Sequence, residues 1–129
     1  MTRPPFDQWA MSIAFQVAER STCLSQKVGA IVVRDREIIA TGYNGTPSGE
    51  DHCIDIGKCV NGESECKGSV VPSPAVHAEM NAIAQAAKHG HVTNGATLYC
   101  THPPCQNCSK LIKAAGIVRV VTPELLEVK

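Results

Sequence analysis

The sequence predicts an α/β domain, and three observations carry that prediction. After residue 75, runs rich in helix formers ("AVHAEMNAIAQAAKHG", "PCQNCSKLIKAAG") alternate with short β-branched or aromatic runs ("ATLYCT", "IVRVV"), a pattern that covers a sheet with helices. Before it, "VGAIVV" (28–33) and "EIIATGY" (37–43) are apolar strands joined through the charged tetrapeptide Arg34 to Glu37, which reads as a hairpin. The chain has 129 residues and no break in composition, so residues 1–129 are expected to build one domain around one core.

Taken in order, Pro4 and Pro5 suit a helix start, and Phe6, Trp9, Ile13 and Val17 recur at helical spacing, so residues 5 to about 20 form an amphipathic helix with Trp9 in the core. The hairpin follows. The stretch 44–74, "NGTPSGEDHCIDIGKCVNGESECKGSVVPSP", has no period, is rich in Gly, Pro, Ser and Asp, and contains three cysteines. A loop of that length inside a compact domain is functional, disordered or pinned by something. The helix that follows stops at Gly90, and the one beginning at "PCQNC" stops at Gly116.

Lys plus Arg and Asp plus Glu each number 12, so the formal net charge is zero and nothing electrostatic draws the surface to a phosphate polymer or an anionic membrane. Neither nucleic acid nor membrane is an expected partner. The opening "MTRPPFDQWAMSIAFQVAERS" is interrupted by Asp7 and Glu19 too early for a secretory or membrane-spanning segment, which predicts a soluble cytoplasmic protein. Seven cysteines is an odd number for a disulfide framework, so metal binding or catalysis is the better use of them.

His77, Ala78 and Glu79 open one predicted helix, and Pro104, Cys105 and Cys108 open another as P-C-x-x-C; together they form the zinc deaminase signature. A catalytic zinc needs three protein ligands and a position left for water, and His77, Cys105 and Cys108 supply one imidazole and two thiolates. Placement in the first turn of a helix favours thiolate over thiol. Glu79 is then left for proton transfer. A redox C-x-x-C leaves H-A-E unexplained, and a structural zinc wants a fourth ligand nearby.

The segments "KVGAIVV", "ATGYNGTPSG", "HAEMNAIAQAA" and "GATLYCTHPPCQNCSKLIKAAGIVRVV" resemble the deoxycytidylate (dCMP) deaminase family of the cytidine deaminase superfamily, over most of residues 20 to 121. The resemblance implies a three-layer fold with a central mixed five-stranded sheet flanked by helices and the zinc between the two motif helices. It implies hydrolysis of dCMP to dUMP and ammonia, with Glu79 carrying a proton from the zinc water to the ring nitrogen and then to the departing amine. The backbone N–H of Ala78 is expected to hold the base carbonyl.

The same resemblance extends to substrate contacts. "RSTCLSQKVG" is similar to the segment that receives the nucleotide phosphate, which nominates Arg20, Ser21 and Thr22, with Lys27 a weaker candidate. Asn44 of "GYNG" matches the position that contacts the sugar, although Asn-Gly is also a common turn dipeptide. Tyr99 either lines the base pocket or packs. His102 lies near the site, whereas His89 and His91 fall beyond a helix end and face solvent. Cys23, Cys53, Cys59 and Cys66 match a second, structural zinc site with His52 as the replacement for one cysteine, and Cys100 is left as a buried strand thiol.

Only "TPELLEVK" follows "IVRVV", where family members commonly continue further, and this shortens one wall of the pocket or assembly. The choice among dCMP, dCTP, modified dCMP and cytidine is weakened accordingly. The resemblance also implies a homo-oligomer, a hexamer, and allows dCTP and TTP as effectors. Two rivals are a tRNA adenosine deaminase, which wants a basic surface this chain lacks, and a non-catalytic zinc module, which would have no use for Glu79.

Overall fold

Pro4 and Pro5 lead directly into helix α1 (Phe6–Ala18) in the computed structural model, which describes residues 2–23, 26–45 and 76–126. Proline suits this position because its fixed φ is helix-compatible and the N–H it lacks would have no intrahelical acceptor. The buried stripe of α1 is Ala10, Met11, Ala14 and Ala18. Trp9, expected in the core, is instead 41% exposed. The helix backbone lies so close to the sheet that a Cβ on Gly29 would fall 2.1 Å from the carbonyl oxygen of Ala14, so the inward stripe is mostly alanine. The indole is displaced to the flank, where it meets the Phe6 ring at 5.4 Å.

Strands β1 (Gly29–Arg34) and β2 (Glu37–Tyr43) form the expected hairpin. Asp35 and Arg36 turn it, both at positive φ, the geometry of a two-residue turn that matches strand twist. Neither is glycine. The Arg36 guanidinium rests over the Phe6 ring at 5.2 Å, which contributes to holding this corner. Helix α2 (Ala78–Lys88), strand β3 (Thr97–Cys100), helix α3 (Gln106–Ala114), strand β4 (Arg119–Val121) and the single turn α4 (Pro123–Leu126) complete the order. Gly90 and Gly116 follow α2 and α3 at positive φ, as expected of helix stops.

The sheet runs β2-β1-β3-β4, with β1 antiparallel to both neighbours and β4 parallel to β3. It is mixed, as expected, but has four strands among the described residues rather than five. Beyond β4 the chain meets Pro123, whose ring cannot donate a ladder hydrogen bond, and turns into α4. Side chains alternate across the sheet. Ala30, Val32, Leu98 and Cys100 pack with Ala78, Ala82 and Ala86 of α2 and Ile112 of α3, while Ile31, Val33, Tyr99 and Val121 pack with Ala10, Met11 and Ala14 of α1. Covering on both faces explains why β1 reads as a continuous apolar run.

A clasp holds α1 to the sheet at the end where β3 and β4 begin. The Asp7 carboxylate accepts from the Tyr99 hydroxyl at 2.5 Å and from both terminal nitrogens of Arg119. The Arg119 guanidinium, then the Tyr99 hydroxyl, hold the Asp7 carboxyl below its usual range, while burial and the Asp7 charge push the Tyr99 phenol up to about 12. The depressed Asp7 pKa stabilises the fold above about pH 4, the unfolded value, and that share is lost as pH falls through the folded value. Asp7→Asn is therefore expected to cost about 1 kcal/mol at pH 7, the Arg119 share being discounted for its half-exposed side chain. Urea titrations should show the gap between the two proteins narrowing as pH falls below about 4; a gap that stays constant through that fall would mean the carboxylate charge contributes nothing.

Candidate active site and metal centre

Two helix N-termini converge at the other end of the sheet. His77 is the N-cap of α2 and Cys105 the N-cap of α3, both with extended backbone, so Ala78, Glu79 and Cys108 fall in first turns where backbone N–H groups have no helical acceptor. One such group, Cys108 N–H, donates to Cys105 Sγ at 3.4 Å. The segment before His77 is held by a bridge in which Val76 and Gly45 exchange N–H to O bonds at 2.7 and 3.0 Å. The residue after β3 is held too: Thr101 N–H donates to the Gly29 carbonyl, and Thr101 Oγ1 accepts from Gly29 N–H. Both ligand-bearing segments thus hang from the β1/β2/β3 end of the sheet.

His77, Cys105 and Cys108 are the one group of metal-ligating side chains that converges among the described residues. A tetrahedral zinc with bonds of about 2.3 Å to sulfur and about 2.0 Å to nitrogen sets those atoms roughly 3.6 Å apart. His77 Nδ1 lies 3.3 Å from Cys108 Sγ and 3.5 Å from Cys105 Sγ, so the donor set fits zinc in spacing as well as in chemistry. Cys108 is fully buried, which, with the neighbouring Glu79 charge, pushes its thiol well above the ordinary range. A divalent cation offsets that penalty and makes the thiolate the bound form.

Glu79 is 5% exposed and stands outside the donor group. It neighbours both Cys108 and the buried Cys100, whose thiol is pushed up to about 12, first by burial and then by the carboxylate charge. A carboxylate so enclosed, beside a metal-ligand triangle and unused by it, can take up and return a proton. The Ala78 N–H, at the first position of α2, faces the same end.

The model of the cytidine and deoxycytidylate deaminase zinc-binding region matches residues 4–124. The chain belongs to this deaminase family. It is 43% identical to the deoxycytidylate deaminase of Mycobacterium phage D29, over 96% of this chain and 98% of that one. It is 44% identical to the ComE operon protein 2 of Bacillus subtilis over 96% of this chain, but spans only 62% of that longer protein. Among solved structures, the dCMP deaminase of cyanophage S-TIM5 in complex with dCMP and dUMP superposes with a TM-score of 0.77 at 39% identity, covering 95% of this chain and 83% of that one.

The deaminase residues expected to meet the nucleotide divide into two sets. Arg20, Ser21 and Asn44 lie at the metal end: Ser21 bonds to Asn44, and Gly45, the next residue, bridges to Val76 beside His77. Arg20 is exposed at the end of α1, Thr22 is half-buried and Lys27 is exposed. Ser21, expected at the phosphate, is 4% exposed and its hydroxyl is committed to Asn44, so burial removes it from that role.

Tyr99 belongs to the other set. On β3 its side chain points to the α1 face and bonds to Asp7, whereas Leu98 and Cys100 point to the α2 face. The reading of Tyr99 as a base-pocket residue therefore gives way to packing, because alternation along a strand sends residue 99 away from the helix that carries Glu79. Cys100 is buried, as expected, and His102 Nδ1 lies 3.1 Å from Thr101 Oγ1. His89 and His91 are exposed. Cys23 is 5% exposed; His52, Cys53, Cys59 and Cys66 lie outside the described residues.

Sequence reasoning missed Asn81 and Gln85, which lock α2 to the edge strand β2. Asn81 Nδ2 donates to the Tyr43 carbonyl at 2.7 Å, and Gln85 Oε1 accepts from Thr41 N–H at 2.7 Å. Their i, i+4 spacing is the available signal, polar residues on a face otherwise lined by alanine. A cleft of about 420 Å³ lined by Arg34, Arg36 and Arg119 lies at the Asp7 end, remote from the metal ligands.

Proposed function

We propose that this chain hydrolyses dCMP to dUMP and ammonia, as a zinc-dependent deaminase. The observation that carries the reading is the His77, Cys105 and Cys108 triangle at zinc-ligand spacing with the buried Glu79 carboxylate beside it. Dedication to dCMP draws on the phage relatives, which carry that activity in their names. Zinc at the three ligands supplies Lewis acidity, making a water nucleophilic near neutral pH.

Glu79 takes a proton from the attacking water and delivers it to ring N3 as the water oxygen bonds to C4. It then takes the remaining proton of that oxygen and passes it to the exocyclic nitrogen, so that the C4–N bond breaks, ammonia leaves and the C4 carbonyl of dUMP forms. The burial of Glu79, 5% exposed, keeps competing water from its carboxylate. Ala78 N–H, unpaired within the helix, donates to the O2 carbonyl of the base and fixes its orientation. Asn44 meets the sugar, and the exposed Arg20 meets the 5′-phosphate as a charge partner. The test is turnover of dCMP, CMP, deoxycytidine and dCTP, followed by absorbance and ammonia release. Turnover confined to dCMP is expected; equal turnover of deoxycytidine would remove the phosphate role of the Arg20 segment.

The reading also includes a second, structural zinc held by Cys23, Cys53, Cys59 and Cys66, with His52 as the alternative ligand, and a cytoplasmic homo-oligomer, a hexamer, open to dCTP and TTP as effectors. Metal analysis should find about two zinc ions per chain. Cys108→Ser should lose the catalytic one with all turnover, and Cys53→Ser the other. A wild type with a single zinc would reduce the loop cysteines to packing or redox roles.

A further inference from the structure

Ser21 and Asn44 form a buried polar unit whose bonding decides what each side chain offers a ligand. Ser21 is 4% exposed and Asn44 8%. Asn44 Oδ1 accepts from the Ser21 hydroxyl at 2.5 Å and from Val28 N–H at 2.9 Å, while Nδ2 donates to the Gln26 carbonyl at 2.7 Å. Because one side of the amide faces a backbone donor and the other a backbone acceptor, its orientation has a single solution. Both acceptor directions of Oδ1 are filled, and among the described residues the second Nδ2 hydrogen carries no partner. The Ser21 hydroxyl is equally committed: it lies 2.9 Å from the Asn44 carbonyl oxygen as well, and accepts from Cys23 N–H at 3.2 Å.

We infer that Ser21 is a positioning residue that acts through Asn44, and that Asn44 meets the nucleotide sugar as a hydrogen-bond donor only, through its remaining Nδ2–H. The inference rests on the dCMP reading above and replaces the assignment of Ser21 to the phosphate. A side chain 4% exposed with its one proton bonded to Asn44 has nothing left to give a phosphate oxygen. Removing its hydroxyl takes away one of the three bonds that hold the Asn44 amide, loosening it on Val28 and Gln26, and leaves the Asn44 carbonyl and Cys23 N–H each short of a partner. The loss then falls on sugar binding, and the zinc ligands keep their own supports through Val76 and Thr101.

Ser21→Ala should raise the KM for dCMP about tenfold with kcat within about twofold of wild type and zinc content unchanged. The inhibition constant of inorganic phosphate against dCMP should stay constant. Asn44→Ala should cost at least as much, and the double variant no more than Asn44→Ala alone. A parallel rise in the phosphate inhibition constant, or losses that multiply in the double variant, would overturn the inference. A readout independent of turnover separates it from the function itself: the Asn44 side-chain amide should be slow to exchange hydrogen in wild type and fast in Ser21→Ala, by nitrogen-resolved NMR. Equal exchange in both proteins sinks the positioning role even if dCMP is deaminated; slow-to-fast exchange with no dCMP turnover in wild type sinks the dCMP reading alone.

Discussion

Glu79→Gln keeps its catalytic-site zinc and its fold and loses turnover of dCMP by about 10²- to 10⁴-fold, the usual worth of a positioned acid–base group. The side chain is 5% exposed and stands apart from the His77, Cys105 and Cys108 ligand group, so a neutral amide of the same shape takes nothing from the metal. It removes the carboxylate proposed to accept a proton and give it back. Stability of the zinc-free protein should hold or rise, because a buried carboxylate beside two buried cysteine thiols, Cys100 and Cys108, is costly in the absence of a cation and the amide carries no charge. Zinc content, thermal unfolding and kcat measured on one preparation separate the cases. Near-normal kcat would end the proton-transfer role, and zinc lost together with activity would make Glu79 a support of the metal site.

Gly42→Ala should be a strongly damaging methyl addition on the face of the sheet that carries α2. A Cβ at residue 42 would stand 2.3 Å from Ala82 N and 2.4 Å from Ala78 O, both backbone atoms of the first turns of α2. Backbone cannot swing aside as a long side chain does, so the helix itself must move from the sheet. That helix carries Ala78 and Glu79 and is capped by His77, and its links to β2 through Asn81 and Gln85 have little slack. Overpacking of this kind costs about 3 kcal/mol, or roughly 10 °C in Tm for a chain of this size. A displacement on the order of 1 Å at a reacting group costs about 10²-fold in rate. Thermal unfolding and kcat of Gly42→Ala should therefore fall together. Native values of both would mean that α2 rides further from β2 than the contact distances require.

Much of the molecule follows from short-range pattern. The two prolines start α1, β-branched runs separated by two polar residues give β1 and β2, and the helix stops at Gly90 and Gly116 are written in glycines that take positive φ. The metal ligands were legible for the same reason: H-A-E and P-C-x-x-C put their side chains in the first turns of two helices, a local property that needs no knowledge of the rest of the chain. Distances between elements are another matter. That α1 presses on Gly29, and so excludes Trp9 from the core, depends on how near two backbones come, and no periodicity reports it. Which face of β3 Tyr99 takes depends on register against β1, where Ile31 is its partner, and a single step along the strand separates it from the Glu79 side. Ser21 and Asn44 are 23 residues apart, and their hydroxyl–amide bond exists only because the hairpin returns the chain to the end of α1. Local sequence thus specified the elements and the chemistry they carry, while packing at ångström range assigned each side chain its partner, because partnership depends on separations that only the assembled backbone sets.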